Sequence, residues 1–267
     1  MTARTLTVAN QKGGVGKTTT TFHLARAAVV ADQRVLVVDA DPQGNFTSVG
    51  AREPLEDDEV GLADALSGRS AMTMRDVIVP GIWPGLDVVP TTGDQLSDVR
   101  DELVIAKTGR ESRLRNALSE VRDDYDLILV DALPGIDQLL VNALTAADGV
   151  LIVTHTKLFS SNGLAALLRT ISDVQTYYNP SLRVAGILAN EHQASTRAAA
   201  AWSAEIDKAA QGLDLHLLRP FVPKSQIISD AVEAARGLDE WPERASDARA
   251  LAAIYAAHLK TLEGSLR

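Results

Sequence analysis

A three-layer, doubly wound α/β fold around a mostly parallel sheet is what this sequence predicts, on three observations. Short apolar runs recur along the chain, stretches of helical period lie between them, and a glycine-rich loop follows the first run directly. The runs Leu6–Ala9, Val35–Val38, Leu86–Val89, Leu127–Val130, Val150–Val153 and Val184–Ala189 are bounded by polar residues or glycine, as buried strands are. Helical spacing appears in Phe22, Leu24, Ala25, Ala28 and Val29, in Leu114, Leu118 and Val121, in Leu164, Leu167, Leu168, Ile171 and Val174, and from Ala248 to Leu262. Strands alternating with helices imply right-handed crossovers and helices on both faces of the sheet. Ala51 to Pro84 is richer in Gly, Pro and charge, and reads as an excursion with one short helix, Gly61 to Leu66. The whole chain, 1–267, is expected to form a single domain.

The loop carries the chemistry. Asn10 to Thr21 reads Asn-Gln-Lys-Gly-Gly-Val-Gly-Lys-Thr-Thr-Thr-Thr, between a strand and a helix N-terminus, the arrangement that binds anions. Gly13, Gly14 and Gly16 let backbone N–H groups turn inward around a di- or triphosphate, and Lys17 adds a cation at the β- and γ-phosphates. Thr18 places a hydroxyl to ligate Mg²⁺. The general pattern Gly-x-x-x-x-Gly-Lys-[Ser/Thr] fails at its first position, which here is Gln11. Lys12, just after it, is a second lysine in the loop.

Carboxylates sit where strands end. Asp131 closes the run from Leu127 and should emerge at the sheet's C-terminal edge beside the loop, where an acid holds Mg²⁺ through water. Asp39 and Asp41 end another strand, and their carboxylates are expected on opposite faces of its extension.

Composition excludes other chemistries. There is no cysteine, so disulfides and thiolate metal sites are out, and the five histidines show no metal-binding spacing. No Gly-x-Ser-x-Gly elbow appears. No apolar run approaches the ~20 residues needed to span a bilayer, and no signal-peptide core is visible, so a cytoplasmic location is expected. A net charge of −9 argues against chain-wide affinity for nucleic acid. Acids cluster at Glu53 to Glu59 and Asp123 to Asp126, whereas Arg197, Lys208, Arg219, Lys224, Arg236, Arg244 and Arg249 fall in the last third.

The loop Lys-Gly-Gly-Val-Gly-Lys-Thr resembles that of the deviant Walker P-loop ATPases, and within them the ParA family of DNA-partition ATPases. Val35 to Asn45 looks like the family's switch segment, Leu127 to Asp131 like its Walker B strand, and Asn142 to Asp148 like a run typical of ParA sequences. The resemblance implies ATP and Mg²⁺ as cofactors, bound by Gly13, Gly14, Val15, Gly16, Lys17, Thr18 and Thr19, with Thr18, Asp39 and Asp131 around the metal. It implies that Asp41 positions the attacking water and that Lys12 reaches across an ATP-sandwich homodimer to the partner's phosphates. Asn190 then reads the adenine edge, with Pro223 in the loop over the base. Arg197 and Lys224 stand where relatives use arginines for non-specific DNA, although a further arginine usual there falls on Ile227.

The implied activity is an ATPase stimulated by a ParB-like adaptor, nucleoid-associated and driving plasmid or chromosome partition. Alternatives are positioning of a protein cargo such as a carboxysome or chemoreceptor cluster, a MinD-like division ATPase, or a metabolic ATP-dependent ligase. The helix-turn-helix domain of larger plasmid relatives is expected to be absent. Membrane binding is not expected, because the outer face of the last helix is alanine-rich and poor in cations. Two departures stand out: Asp131-Ala132-Leu133-Pro134-Gly135 lacks one of the family's prolines, and Asp137 is an additional acid.

Overall fold

The computed structural model describes residues 2–155, 161–193, 204, 207–208, 210–212 and 215–266. Its strands are β1 (Arg4–Ala9), β2 (Val35–Ala40), β3 (Val79–Pro80), β4 (Leu86–Val89), β5 (Leu127–Ala132), β6 (Gly149–His155) and β7 (Arg183–Asn190). The helices between and after them are α1 (Lys17–Val30), α2 (Thr47–Gly50), α3 (Leu62–Leu66), α4 (Gln95–Ile105), α5 (Arg113–Leu118) and α6 (Gln138–Ala146). They continue with α7 (Ser161–Tyr177), α8 (Gln226–Glu233) and α9 (Ala245–Ser265). The strands form one seven-stranded sheet in the order β3-β4-β2-β5-β1-β6-β7. All neighbours are parallel except β3, a short antiparallel edge ending in Pro80, which cannot donate to a further strand.

Side-chain alternation divides the core into two layers. Leu36 and Val38 of β2 pack with Leu62, Leu96, Leu114, Leu139 and Leu167 from the helices α3 to α7. Val35 and Val37 face the other way, onto Phe22 of α1, Ile228 of α8 and Leu251 of α9. β2 and β5 are buried at every position, as central strands covered on both sides must be. Of the expected α9 stripe, Ala248, Leu251, Tyr255, Leu259 and Leu262 are buried in this second layer, and Ala252 is partly buried against it. No described helix is long and apolar enough to cross a membrane.

The expected strands and helices are all present, and the structure adds elements that the patterns did not announce. These are the four-residue α2, α4 with Leu96, Val99 and Leu103 buried at helical spacing, α6, α8 and the two-residue β3. Asp137 is explained by α6: its Oδ1 accepts from the amides of Leu139 and Leu140, so the additional acid is an N-cap. Asn142 is a buried cross-link, donating to the carbonyls of Arg110 and Gln138 and accepting from the Leu114 amide. The excursion carries its short helix, α3, entered from Gly61, whose amide donates to Asp64 Oδ2.

The excursion closes onto the sheet at Gly81, whose amide donates to the Leu86 carbonyl at 2.8 Å. A Cβ at Gly81 would lie 2.5 Å from Leu86 Cγ and 2.8 Å from the Leu86 carbonyl oxygen, so backbone as well as side chain would have to shift. Gly81→Ala should therefore destabilise by about 1–3 kcal/mol, read as a lower urea midpoint at unchanged slope.

Candidate functional site

β1, β5 and β2 lie side by side, so the segments leaving their C-terminal ends meet at one edge of the sheet. The loop leaves β1 tied down by Asn10, whose side chain donates to the Val153 carbonyl on β6 and accepts from the Lys12 amide. Gly14 and Gly16 take φ of 69° and 84°, left-handed values that glycine adopts at little cost. Gly16 also leads into α1, and no side chain caps that N-terminus. Amide groups at an uncapped helix start are ready to receive an anion.

Lys17 opens α1 and is only 6% exposed. Burial lowers its pKa, while the charges of Asp131 and Asp41 work in the opposite direction. Its Nζ donates at 3.5 Å to the carbonyl of Lys12, which is itself half-buried. Asp131, at the end of β5, accepts from Thr18 Oγ1 at 2.7 Å through one oxygen and from Thr21 Oγ1 at 3.0 Å through the other. Burial raises its pKa to about 6; Thr18, Thr21 and Lys17 oppose the rise, and the Asp41 charge adds to it.

Asp39 is the register partner of Asp131 across β2 and β5. It is fully buried, and burial together with the Asp131 charge raises its pKa to about 7. Its Oδ2 accepts from the Thr47 amide and hydroxyl, both at 2.8 Å, and its Oδ1 from the Asp41 amide at 3.3 Å. The expected divergence of Asp39 and Asp41 does not hold. Residues two apart on an extended strand share a face, and Asp41 sits close enough to Lys17 and Asp131 to bear on the ionisation of both. Asp41 Oδ1 accepts from the Gln43 amide at 3.1 Å, which folds the following loop back on the carboxylate.

The fit to a magnesium nucleotide can be tested on these groups. Thr18 and Asp131 supply a hydroxyl and a carboxylate in contact, with Lys17 alongside, a sparse set of the kind Mg²⁺ uses when phosphate and water complete its shell. Asp39 lies beside this set, its oxygens accepting from Thr47 and the Asp41 amide. Thr21 was not anticipated, although it stands one helical turn from Thr18 in the Thr18-to-Thr21 run.

The remaining candidates lie at β7 and beyond. Asn190 packs on the loop: its Nδ2 donates to the Val15 carbonyl at 3.2 Å, and a Cβ on Gly16 would strike it at 2.1 Å. Its Oδ1 accepts from the Glu191 amide. Pro223 bridges to His192, and the Lys224 amide donates to the His192 carbonyl, so this later loop runs alongside the end of β7. Lys224 Nζ lies 4.0 Å from Glu191 Oε2 on the surface. Ile227 is 7% exposed, within the second core layer. Arg197 lies outside the described residues. Two other C-terminal cations, Arg219 and Arg244, are paired with Asp207 and Asp247.

Comparison with known proteins matches a family model described as an AAA domain over residues 3–184. The chain is 42% identical over 188 residues to the chromosome partitioning protein ParA of Caulobacter vibrioides, covering 69% of this chain and 68% of that one. It belongs to the ParA family of deviant Walker ATPases. The sporulation initiation inhibitor protein Soj of Bacillus subtilis is 40% identical over 183 residues, 68% of this chain and 70% of Soj. Among solved structures, cobyrinic acid a,c-diamide synthase from Mycobacterium smegmatis, with a bound ATP analogue and magnesium, is 32% identical with a TM-score of 0.75. That likeness covers 90% of this chain and 96% of the other. The ParA-type reading of the loop, the switch segment and the Walker B strand thus agrees with relatedness over most of the chain.

In this ParA-family ATPase the buried carboxylates set a pH dependence. Asp39 and Asp131 release protons near pH 4 in the unfolded chain but only near about 6 to 7 in the fold. Between those values the folded state holds protons that the unfolded state has lost, so this contribution to stability falls as pH rises from about 4 to about 7. Asp39→Asn removes one such group and should flatten the decline by roughly 1–4 kcal/mol, measured by urea unfolding of nucleotide-free protein across that window.

Proposed function

We propose that this chain is a ParA-type partition ATPase that dimerises on ATP, binds DNA without sequence preference and hydrolyses ATP when a ParB-like adaptor stimulates it. The observation that carries the reading is the junction of the two-lysine loop with Asp131 and Asp41 at the C-terminal ends of adjacent strands. Amides from Gly13 to Thr19, with Lys17, hold the phosphates of ATP. Thr18 and Asp131 hold Mg²⁺, which neutralises phosphate charge. Lys17 is already buried before any phosphate arrives, so little reorganisation is required of it.

Asp41 orients the attacking water. Its charge bears on Lys17, and the Gln43 amide donates to one of its oxygens. Lys12 reaches the phosphates of the second subunit, making the loop a dimerisation switch as well as a binding site. Adenine is read by Asn190 and covered by the loop at Pro223. In this role the Asn190 amide serves the base as well as the Val15 carbonyl, which its second N–H permits.

DNA is met by Lys224, with Arg197, across the dimer rather than on one chain, because Glu191 partly offsets Lys224 within a chain whose net charge is −9. The protein works in the cytoplasm on the nucleoid. The likeness to the diamide synthase favours a second reading, an ATP-dependent ligase that acts without ATP-driven dimerisation.

The two readings separate in one experiment. Asp41→Ala should elute as a dimer on size exclusion with ATP and as a monomer with ADP, and adding Lys12→Ala should return it to monomer. A monomer with ATP, combined with unchanged turnover in Lys12→Ala, would favour the ligase. DNA binding by the trapped dimer should weaken steeply between about 50 and 200 mM salt, and Lys224→Ala should make that dependence shallower, both read by fluorescence anisotropy.

A further inference from the structure

Asp39, Thr47 and Thr91 are buried polar residues that the reading above leaves without a task. Thr47 and Thr91 are 8% and 6% exposed, and Asp39 is fully buried. They come from different parts of the fold: the end of β2, the start of α2 and the loop after β4. The Thr47 hydroxyl joins them, donating to Asp39 Oδ2 at 2.8 Å and accepting from the Thr91 amide at 2.9 Å. A second pair of bonds closes the knot. The Thr47 amide donates to the same Asp39 oxygen at 2.8 Å, and Thr91 Oγ1 donates to the Asp39 carbonyl at 2.7 Å.

The segment between the tied points is the one that carries Asp41. It leaves β2 at Asp41, turns at Gly44 and re-enters the core at Phe46, which is fully buried. Gly44 takes φ of 60°, its amide donates to the Asp41 carbonyl at 2.9 Å, and a Cβ there would lie 3.0 Å from the Thr91 carbonyl oxygen. The turn is thus pressed against the same loop that Thr47 grips. Asp39 adds a direct contact, since its Oδ1 accepts from the Asp41 amide.

We infer that Asp39, Thr47 and Thr91 form a clamp whose function is to hold the Asp41 carboxylate in position, and that Asp39 acts through Thr47 as a positioning residue instead of through the metal. This rests on the proposal that Asp41 orients the attacking water. A hydroxyl is required at Thr47 because it must donate and accept at once, which serine also does and valine does not. Valine preserves the shape and leaves the Thr91 N–H without its partner. With one end of the segment released, Asp41 samples more positions, and the loss falls on the chemical step rather than on nucleotide binding.

The test is steady-state ATP turnover of Thr47→Val, Thr47→Ser and Thr91→Val, with amide hydrogen exchange at Gln43 and Gly44. In Thr47→Val, kcat should fall about tenfold with KM for ATP within about twofold of the parent, and exchange at both amides should accelerate. Thr47→Ser should restore kcat and protection together. Thr91→Val, which loses only the bond to the Asp39 carbonyl, should lie between, and it decides the matter if Thr47→Val does not fold. Parental kcat and parental exchange in both valine variants would overturn the clamp, as would parallel loss of kcat and ATP affinity that serine does not rescue. Asp41→Ala is measured alongside: if it turns over ATP at the parental rate, the role given to Asp41 fails, while the exchange data still judge the clamp.

Discussion

Two carboxylates buried side by side, Asp39 and Asp131, are the constraint around which this end of the molecule is organised. They face each other in register on neighbouring central strands, away from water. Each disfavours the ionised form, by burial and, for Asp39, by the charge of its neighbour. A fold that keeps such groups must surround them with donors, and it does so. Thr18 and Thr21 satisfy Asp131, Thr47 and the Asp41 amide satisfy Asp39, and Lys17 supplies the cation. The same donors are the pieces a nucleotide site needs, so the electrostatic burden and the chemistry are one arrangement.

Sheet order explains why these groups meet. The parallel strands deliver their C-termini to the same edge, and placing β5 between β1 and β2 puts the glycine loop, Asp131 and the segment carrying Asp41 next to one another. The helix that begins at the loop packs on the layer that Asp39 and Asp131 face. Alternation along β2 and β5 sets Val35, Val37, Leu127 and Leu129 in that layer, with the two acids next in step. The hydrophobic register and the position of the carboxylates are therefore fixed together, since a one-residue slip of either strand would turn its acid to the other face.

The central strands, the phosphate loop and the acid at the end of β5 were legible because each is a local pattern. A run of apolar residues needs no partner to be recognised, and neither does a glycine loop with two lysines. Apart from α4 and α6, helices of eleven and nine residues, what escaped was short or relational. β3 is two residues at an edge, too brief for a period, and α8 is a single eight-residue stripe following a loop. Asp137 looked anomalous because its meaning depends on where α6 begins. Thr47 and Thr91 carry no signal in the linear sequence at all, for they are 44 positions apart and meet only through the fold. Asp39 was legible as an important acid, yet its partners, and hence its part in the site, were not.

Charge placement limits the field this surface can offer a polyanion. A polyanion is held by cations whose charge is not already offset, since its affinity comes from releasing counterions at each neutralised phosphate. Arg219 and Arg244 are paired with aspartates in the folded chain, and Arg26 with Asp239 and Glu240. Such pairs present little net field beyond a Debye length, about 10 Å at ordinary salt. Ile227 removes a further cation and gives its position to the core, where it packs with Ile228 beneath α1. Pairing of this kind, in a chain of net charge −9, leaves the described surface little cationic density with which to hold a polyanion.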